Sequence, residues 1–161
     1  MDIYILRHGL AEDGQAGQSD SERALTAEGK KKLRAVLHTA KRAGVSPTLI
    51  MTSPYKRALQ TAQLAAEILS YKGTLMRTSV LEPGSRSHGV WEEIRIHKEE
   101  KAILLAGHEP LFSSLTAYLV GCRNLQIDFK KGAMACVTID RFGSEPQGVL
   151  RWMVTPKLAS G

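Results

Sequence analysis

Asp2-Ile3-Tyr4-Ile5-Leu6-Arg7-His8-Gly9 is the stretch on which the fold turns. Ile3 to Leu6 are consecutive apolar residues rich in β-formers, and they run straight into an arginine, a histidine and a glycine. This predicts a buried strand with a cationic tip. Because the run lacks polar alternation it needs cover on both faces, which places it inside an α/β sheet rather than at an edge. Ligands of such sheets bind just beyond the carboxyl ends of the strands, where Arg7 and His8 fall. Gly9 would let the backbone turn sharply and approach a ligand closely.

Two more apolar runs behave in the same way. Thr48-Leu49-Ile50-Met51-Thr52 is followed by Ser53-Pro54, read as an N-cap and a first-turn proline. The helix predicted from there to about Ser70 has Leu59, Ala62, Ala66 and Leu69 along one side and Arg57 in its first turn. Ala102-Ile103-Leu104-Leu105-Ala106 ends in Gly107-His108-Glu109-Pro110, with a helix over Leu111 to Val120.

Around these junctions the remaining elements are simple. Leu10 to Arg23 is a polar loop. Thr26 caps a helix that has Glu28 in its first turn and reaches Ala43 before Gly44, with Leu33, Val36, Leu37 and Ala40 on its buried face and His38 partly covered beside them. Thr74 to Arg77 reads as an edge strand and Leu81 to Ser85 as a turn. A short helix follows, with Val90, Trp91, Ile94 and Ile96 inward and Glu92, Glu93, Arg95 and Lys98 outward. His88 and His97 read as solvated residues of that segment. Leu125–Phe129, Ala133–Ile139 and Val149–Val154 read as strands that complete the sheet. With no repeat or linker, the expectation is one α/β domain over residues 1–161, a mostly parallel sheet flanked by helices.

The 161 residues, 43% apolar and 24% charged, suit one soluble globular domain. No run approaches a membrane span and the N-terminus lacks a signal-peptide layout, so a cytoplasmic protein without membrane partners is expected. Cys122 and Cys136 lie in apolar contexts without C-x-x-C spacing and read as buried reduced thiols. A net charge of +6 asks for anionic partners. The basic clusters Lys30-Lys31-Lys32, Lys41-Arg42 and Lys130-Lys131 are not interleaved with aromatics, so they favour a phosphorylated substrate over nucleic acid.

Arg7 with His8, Arg57, and His108 should therefore meet at one sheet edge. Two guanidiniums, two imidazoles and two helix N-termini make a cradle for a dianionic tetrahedral group such as a phosphoryl. Neutral imidazole is a good nucleophile, and the arginines would stabilise charge building on the transferring oxygens. One histidine attacks and the other holds an oxygen; spacing does not say which.

Leu6-Arg7-His8-Gly9, Ser53-Pro54-x-x-Arg57-Ala58-x-x-Thr61-Ala62 and Gly107-His108-Glu109-Pro110 resemble the three signature blocks of the histidine phosphatase superfamily, the branch with the phosphoglycerate mutases. Ser19-Asp20-x-x-Arg23-x-Leu25-Thr26-x-x-Gly29 and the compact length resemble the SixA-type phosphohistidine phosphatases. The resemblance implies a phosphoglycerate mutase-like fold, His8 as the transiently phosphorylated nucleophile, and Arg7, Arg57 and His108 as the phosphate clamp. It also implies a second step in which water releases phosphate without a metal or other cofactor. Asp20 and Arg23 would order the loop over the pocket.

Ester-cleaving members of that superfamily use a carboxylic acid to protonate the leaving oxygen. Glu82 is the best-placed candidate here, with Glu92 and Glu93 further off. Imidazole, with a conjugate acid near pKa ~6.5, leaves readily once protonated, whereas an alkoxide of pKa roughly 15 needs a proton from the enzyme. Little chain is left between Arg57 and His108 for a lid, so the pocket should be open and suited to a phosphorylated side chain on another protein. The expected activity is hydrolysis of phosphohistidine on a protein, a histidine-containing phosphotransfer domain being one candidate partner. The alternatives are a broad phosphatase for small phosphate monoesters and a non-catalytic phosphate- or nucleic-acid-binding module.

Overall fold

A computed structural model describes all residues, Met1–Gly161. The elements are β1 (Asp2–Arg7), α1 (Ala27–Arg42), β2 (Leu49–Thr52), α2 (Lys56–Ile68), β3 (Met76–Arg77), α3 (Ser87–Ile96), β4 (Ala102–Gly107), α4 (Leu111–Leu119), β5 (Met134–Thr138), β6 (Val149–Val154) and α5 (Pro156–Ala159). One six-stranded sheet runs β3-β2-β4-β1-β5-β6. The first four of these strands are parallel, β5 runs antiparallel to β1, and β6 runs antiparallel to β5.

β1 is interior, as its unalternating apolar run requires. Ile3 and Ile5 point into a core shared with α3 and α4, while Tyr4 and Leu6 point into a second core shared with α1 and α2. The two adjacent strands β1 and β4 thus send the chain to opposite faces, α1 to one and α4 to the other. A crevice opens at their carboxyl ends, the topological switch point at which doubly wound sheets bind ligands. Arg7 is in register with Gly107, and Thr52 with Ala106. The residues that follow each strand are therefore level with one another.

Several expected details differ. α2 starts at Lys56 with Tyr55 as its N-cap, not at Ser53-Pro54. Its buried stripe is Ala58, Thr61, Ala62, Ala65 and Ile68 together with Arg57, so Leu59 and Ala66 are only half-buried. Leu125–Phe129 is no strand: Phe129 is buried in the core, but its carbonyl accepts from Arg7 Nη1 at 2.6 Å rather than from a neighbouring strand. Thr74 and Leu75 lie outside the edge strand, which is only Met76–Arg77. Ile96 is 72% exposed because it lies at the last residue of α3, past the inward stripe of Val90, Trp91 and Ile94. His38 is exposed, and His97 is half-buried, with Nε2 3.4 Å from Glu93 Oε1 in an alignment that makes no hydrogen bond. Cys136 is buried as expected, whereas Cys122 lies beyond the end of α4 and is exposed. No helix is long and apolar enough to cross a membrane.

Candidate active site

The parallel ladder continues one residue past the strands: His8 N–H donates to Gly107 O at 2.9 Å and Ser53 N–H to Ala106 O at 3.0 Å. This sets the His8 and His108 rings side by side, centroids 5.1 Å apart and planes inclined by 60°. Both are buried, His8 7% and His108 2% exposed. The four residues expected from the sequence, Arg7, His8, Arg57 and His108, do converge on this edge.

The network assigns the tautomer of His8. Nδ1 lies 2.7 Å from the Gly9 carbonyl, which only accepts, so Nδ1 carries the proton. Nε2 keeps its lone pair and accepts from Arg57 Nε at 3.3 Å. Burial, reinforced by the charges of Arg57, Arg7 and Lys131, pushes the His8 pKa down to about 4 against the opposing pull of the Gly9 carbonyl. His8 is therefore a neutral imidazole at neutral pH, its Nε2 unprotonated and held only by the Arg57 N–H at 3.3 Å.

Arg57 is held in a fork. Beside its bond to His8, Nη1 donates to Asp20 O at 2.8 Å and Nη2 to Asp20 Oδ2 at 3.1 Å, while Arg23 Nε donates to Asp20 Oδ1 at 2.8 Å. Partial burial opposes ionisation of Asp20, yet the bonds from Arg23 and Arg57 outweigh it and hold the carboxyl below its usual range. The Asp20–Glu22 turn is thus strapped to the site through Arg57 itself. The Tyr55 ring forms a wall, stacked under the Arg57 guanidinium at 5.2 Å and edge-on to His108 at 5.3 Å.

His108 Nε2 lies 2.8 Å from Ser53 Oγ, which also accepts from Tyr55 N–H at 3.2 Å. Burial first, then His8 and Arg57, pushes the His108 pKa down to about 3. Two buried polar atoms of the site, Arg7 Nε and His108 Nδ1, make no hydrogen bond within the protein. Burying such a group unpaired costs about 1–3 kcal/mol, which an incoming acceptor would recover. With the Ser53 hydroxyl donating to His108 Nε2, Nδ1 carries the proton, and it and Arg7 Nε are both donors that an incoming oxyanion would satisfy. Arg7 is less basic than usual through burial, countered by Glu109 and Asp128, but an arginine remains charged at any working pH.

Ser53, Tyr55 and Phe129 join the site with no sequence signal of their own. Ser-Pro commonly caps a helix, but the Ser53 hydroxyl reaches His108 instead. Packing already asks for glycine at position 9: a Cβ there would sit 2.6 Å from Leu33 Cδ1 and 3.2 Å from Gly29 O. Glu109 caps α4, accepting from Ser113 N–H at 2.6 Å. Glu82 follows Leu81, whose carbonyl packs on Gly107, and its carboxylate makes no hydrogen bond or ion pair. No three His, Cys, Asp or Glu side chains cluster so as to hold a metal ion.

Residues 3–80 match the model of the histidine phosphatase superfamily, branch 1. Over 158 residues the chain is 28% identical to phosphohistidine phosphatase SixA of Escherichia coli strain K12, covering 97% of this chain and 94% of that one. An uncharacterised protein of Picosynechococcus sp. is 30% identical over 111 residues, 68% of this chain and 67% of its own length. The solved structure of the protein histidine phosphatase SixA complexed with tungstate superposes with a TM-score of 0.88 at 27% identity, covering 98% of both chains.

Proposed function

The chain belongs to the histidine phosphatase superfamily and has the phosphoglycerate mutase-like fold, and from that premise we propose that it hydrolyses phosphohistidine on a protein through a phosphorylated His8, without a metal. The carrying observation is the unprotonated Nε2 of His8, fixed by the Gly9 carbonyl and surrounded by Arg7, Arg57 and His108. Similarity to SixA over nearly the whole chain supports the substrate class. Tungstate, which the SixA structure holds, is a tetrahedral oxyanion of the kind this cradle would take.

In the first step Nε2 attacks phosphorus as the P–N bond to the substrate imidazole breaks. The leaving imidazole keeps the bonding pair and departs as the neutral base, having been protonated on its other nitrogen. Arg7, Arg57 and the His108 N–H take the equatorial oxygens and the charge that gathers on them. In the second step water attacks the phosphorus on His8, the new P–N bond breaks, and inorganic phosphate leaves. The substrate's own leaving group is good enough that no acid on the enzyme is required.

Glu82, next in the chain to Leu81 at the end of β4 and with an unpaired carboxylate, favours a second reading, a phosphatase for small monoesters in which that group protonates an alkoxide. Turnover of a phosphohistidine-bearing protein against an alkyl phosphate, for wild type and Glu82→Gln without added metal, separates the two. Phosphohistidine hydrolysis untouched by the substitution supports the first reading. Alkyl phosphate hydrolysis that is faster and lost in Glu82→Gln supports the second.

A further inference from the structure

The chemistry above leaves a dense patch of lysines without a role. Lys31 and Lys32 on α1, Lys130 and Lys131 on the turn before β5, and Lys157 on α5 line one open groove of about 1030 Å³ that also takes in Arg7. All five lysines are exposed. The groove is tied to the nucleophile: Gly132 N–H donates to His8 O at 3.0 Å. A Cβ on Gly132 would lie 3.3 Å from Pro156 Cγ and 3.7 Å from Leu33 Cδ2, so this turn is wedged between α5 and α1. Lys131 is also among the cations that keep His8 neutral.

Six cationic side chains face only two carboxylate side chains in this groove. Glu28 lies 3.6 Å from Lys32 and Asp128 2.7 Å from Lys130. Lys31, Lys131 and Lys157 have no carboxylate within ion-pair distance. Like charges crowded on one wall raise the local potential and draw in anions. No aromatic side chain lines the groove, so it offers nothing on which nucleic-acid bases could stack. An extended acidic polypeptide needs only the charge and the open trough.

We propose that this groove seats an acidic segment of the phosphorylated protein, next to the phosphohistidine that enters at His8. The inference rests on the phosphoprotein reading of the site and adds the character of the substrate's flank. It acts on encounter and on KM rather than on the chemical step.

The test uses three probes: phosphoimidazole, a phosphohistidine peptide flanked by Asp and Glu, and the same peptide flanked by Ser and Gly. They are assayed with wild type and with Lys31→Glu/Lys157→Glu, two exposed positions that make no side-chain bond. The expected result is a KM for the acidic peptide about tenfold below that of the neutral one in wild type. That preference should vanish in the variant and near 1 M salt, where screening acts within about 3 Å. Unchanged phosphoimidazole turnover shows that the variant is folded. Equal KM for both peptides in wild type overturns the groove while leaving the phosphohistidine reading intact. Failure of all three probes alongside alkyl phosphate turnover overturns that reading itself. A single-stranded oligonucleotide that displaces the acidic peptide at equal charge and lower concentration would assign the groove to nucleic acid and refute the proposal.

Discussion

Gly29→Ala should destabilise the protein and slow it, although glycine to alanine within a helix ordinarily stabilises by up to about 1 kcal/mol. Gly29 is the third residue of α1, and its N–H is bound by the capping Thr26 hydroxyl at 2.9 Å. A Cβ there would lie 2.2 Å from Leu10 O, 2.9 Å from Leu10 N and 3.0 Å from Leu10 C, all backbone. The Leu10 peptide would have to retreat by roughly 1 Å to reach ordinary contact. Leu10 O accepts from Thr26 N–H at 2.9 Å and from the Thr26 hydroxyl at 3.3 Å, and both bonds would stretch or break. Two such bonds at about 1 kcal/mol each outweigh the gain in propensity, for a net loss of about 1–3 kcal/mol. Leu10 also follows Gly9, whose carbonyl holds the His8 tautomer, so turnover should fall with stability. Gly89→Ala is the control: it too is the third residue of its helix, and a Cβ there meets nothing within 4 Å. Urea denaturation should move the midpoint down for Gly29→Ala, with unchanged m-value, and leave it level or raise it for Gly89→Ala. A Gly29→Ala protein as stable and active as wild type would refute the reasoning.

Asp20→Ala removes the carboxylate that holds Arg57 Nη2 from the loop side and leaves the bond from Nη1 to the residue 20 carbonyl; kcat/KM should drop about tenfold, from a charge-assisted bond of about 1.5 kcal/mol at a half-exposed carboxylate, and an unchanged value would show that the backbone bond alone orients Arg57. His8 at about 4 lies below the ordinary value of 6.5, so the unfolded chain binds more protons in that interval and stability is complete above 6.5 and lost as the pH falls towards 4. The loss from His8 is about 3 kcal/mol; urea melts across this range should show a shallower acid slope for His8→Gln, and an identical slope would contradict it. For the same reason the acid limb of kcat/KM due to the nucleophile should sit below pH ~5 rather than near 6.5, measured on a substrate whose own protonation is constant there.

The strands that end at the site were legible because buried parallel strands leave long apolar runs, and Gly-His and Ser-Pro punctuate their ends. Polar residues on a buried face hide the helical period. Arg57 and Thr61 occupy the inner stripe of α2 and break the hydrophobic period, so the apolar spacing points to Leu59 and Ala66, which are only half-buried, as well as to Ala62 and Leu69, which are buried. Leu125, Ile127 and Phe129 alternate like a strand, yet the Phe129 carbonyl is taken by Arg7, and no ladder forms. The convergence of Arg7, His8, Arg57 and His108 could be inferred from strand-end positions alone. The roles of Ser53 and Tyr55 could not, since they depend on which way a hydroxyl and a ring turn at a junction that propensity reads as an ordinary helix start.

The most direct test of the account is rapid acid-free quenching of the enzyme with a protein labelled on phosphohistidine. Wild type should carry label transiently on His8, alkali-stable and acid-labile, and then release inorganic phosphate, while His8→Ala should do neither. Phosphate release at the wild-type rate by His8→Ala, or label found on another residue, would contradict it.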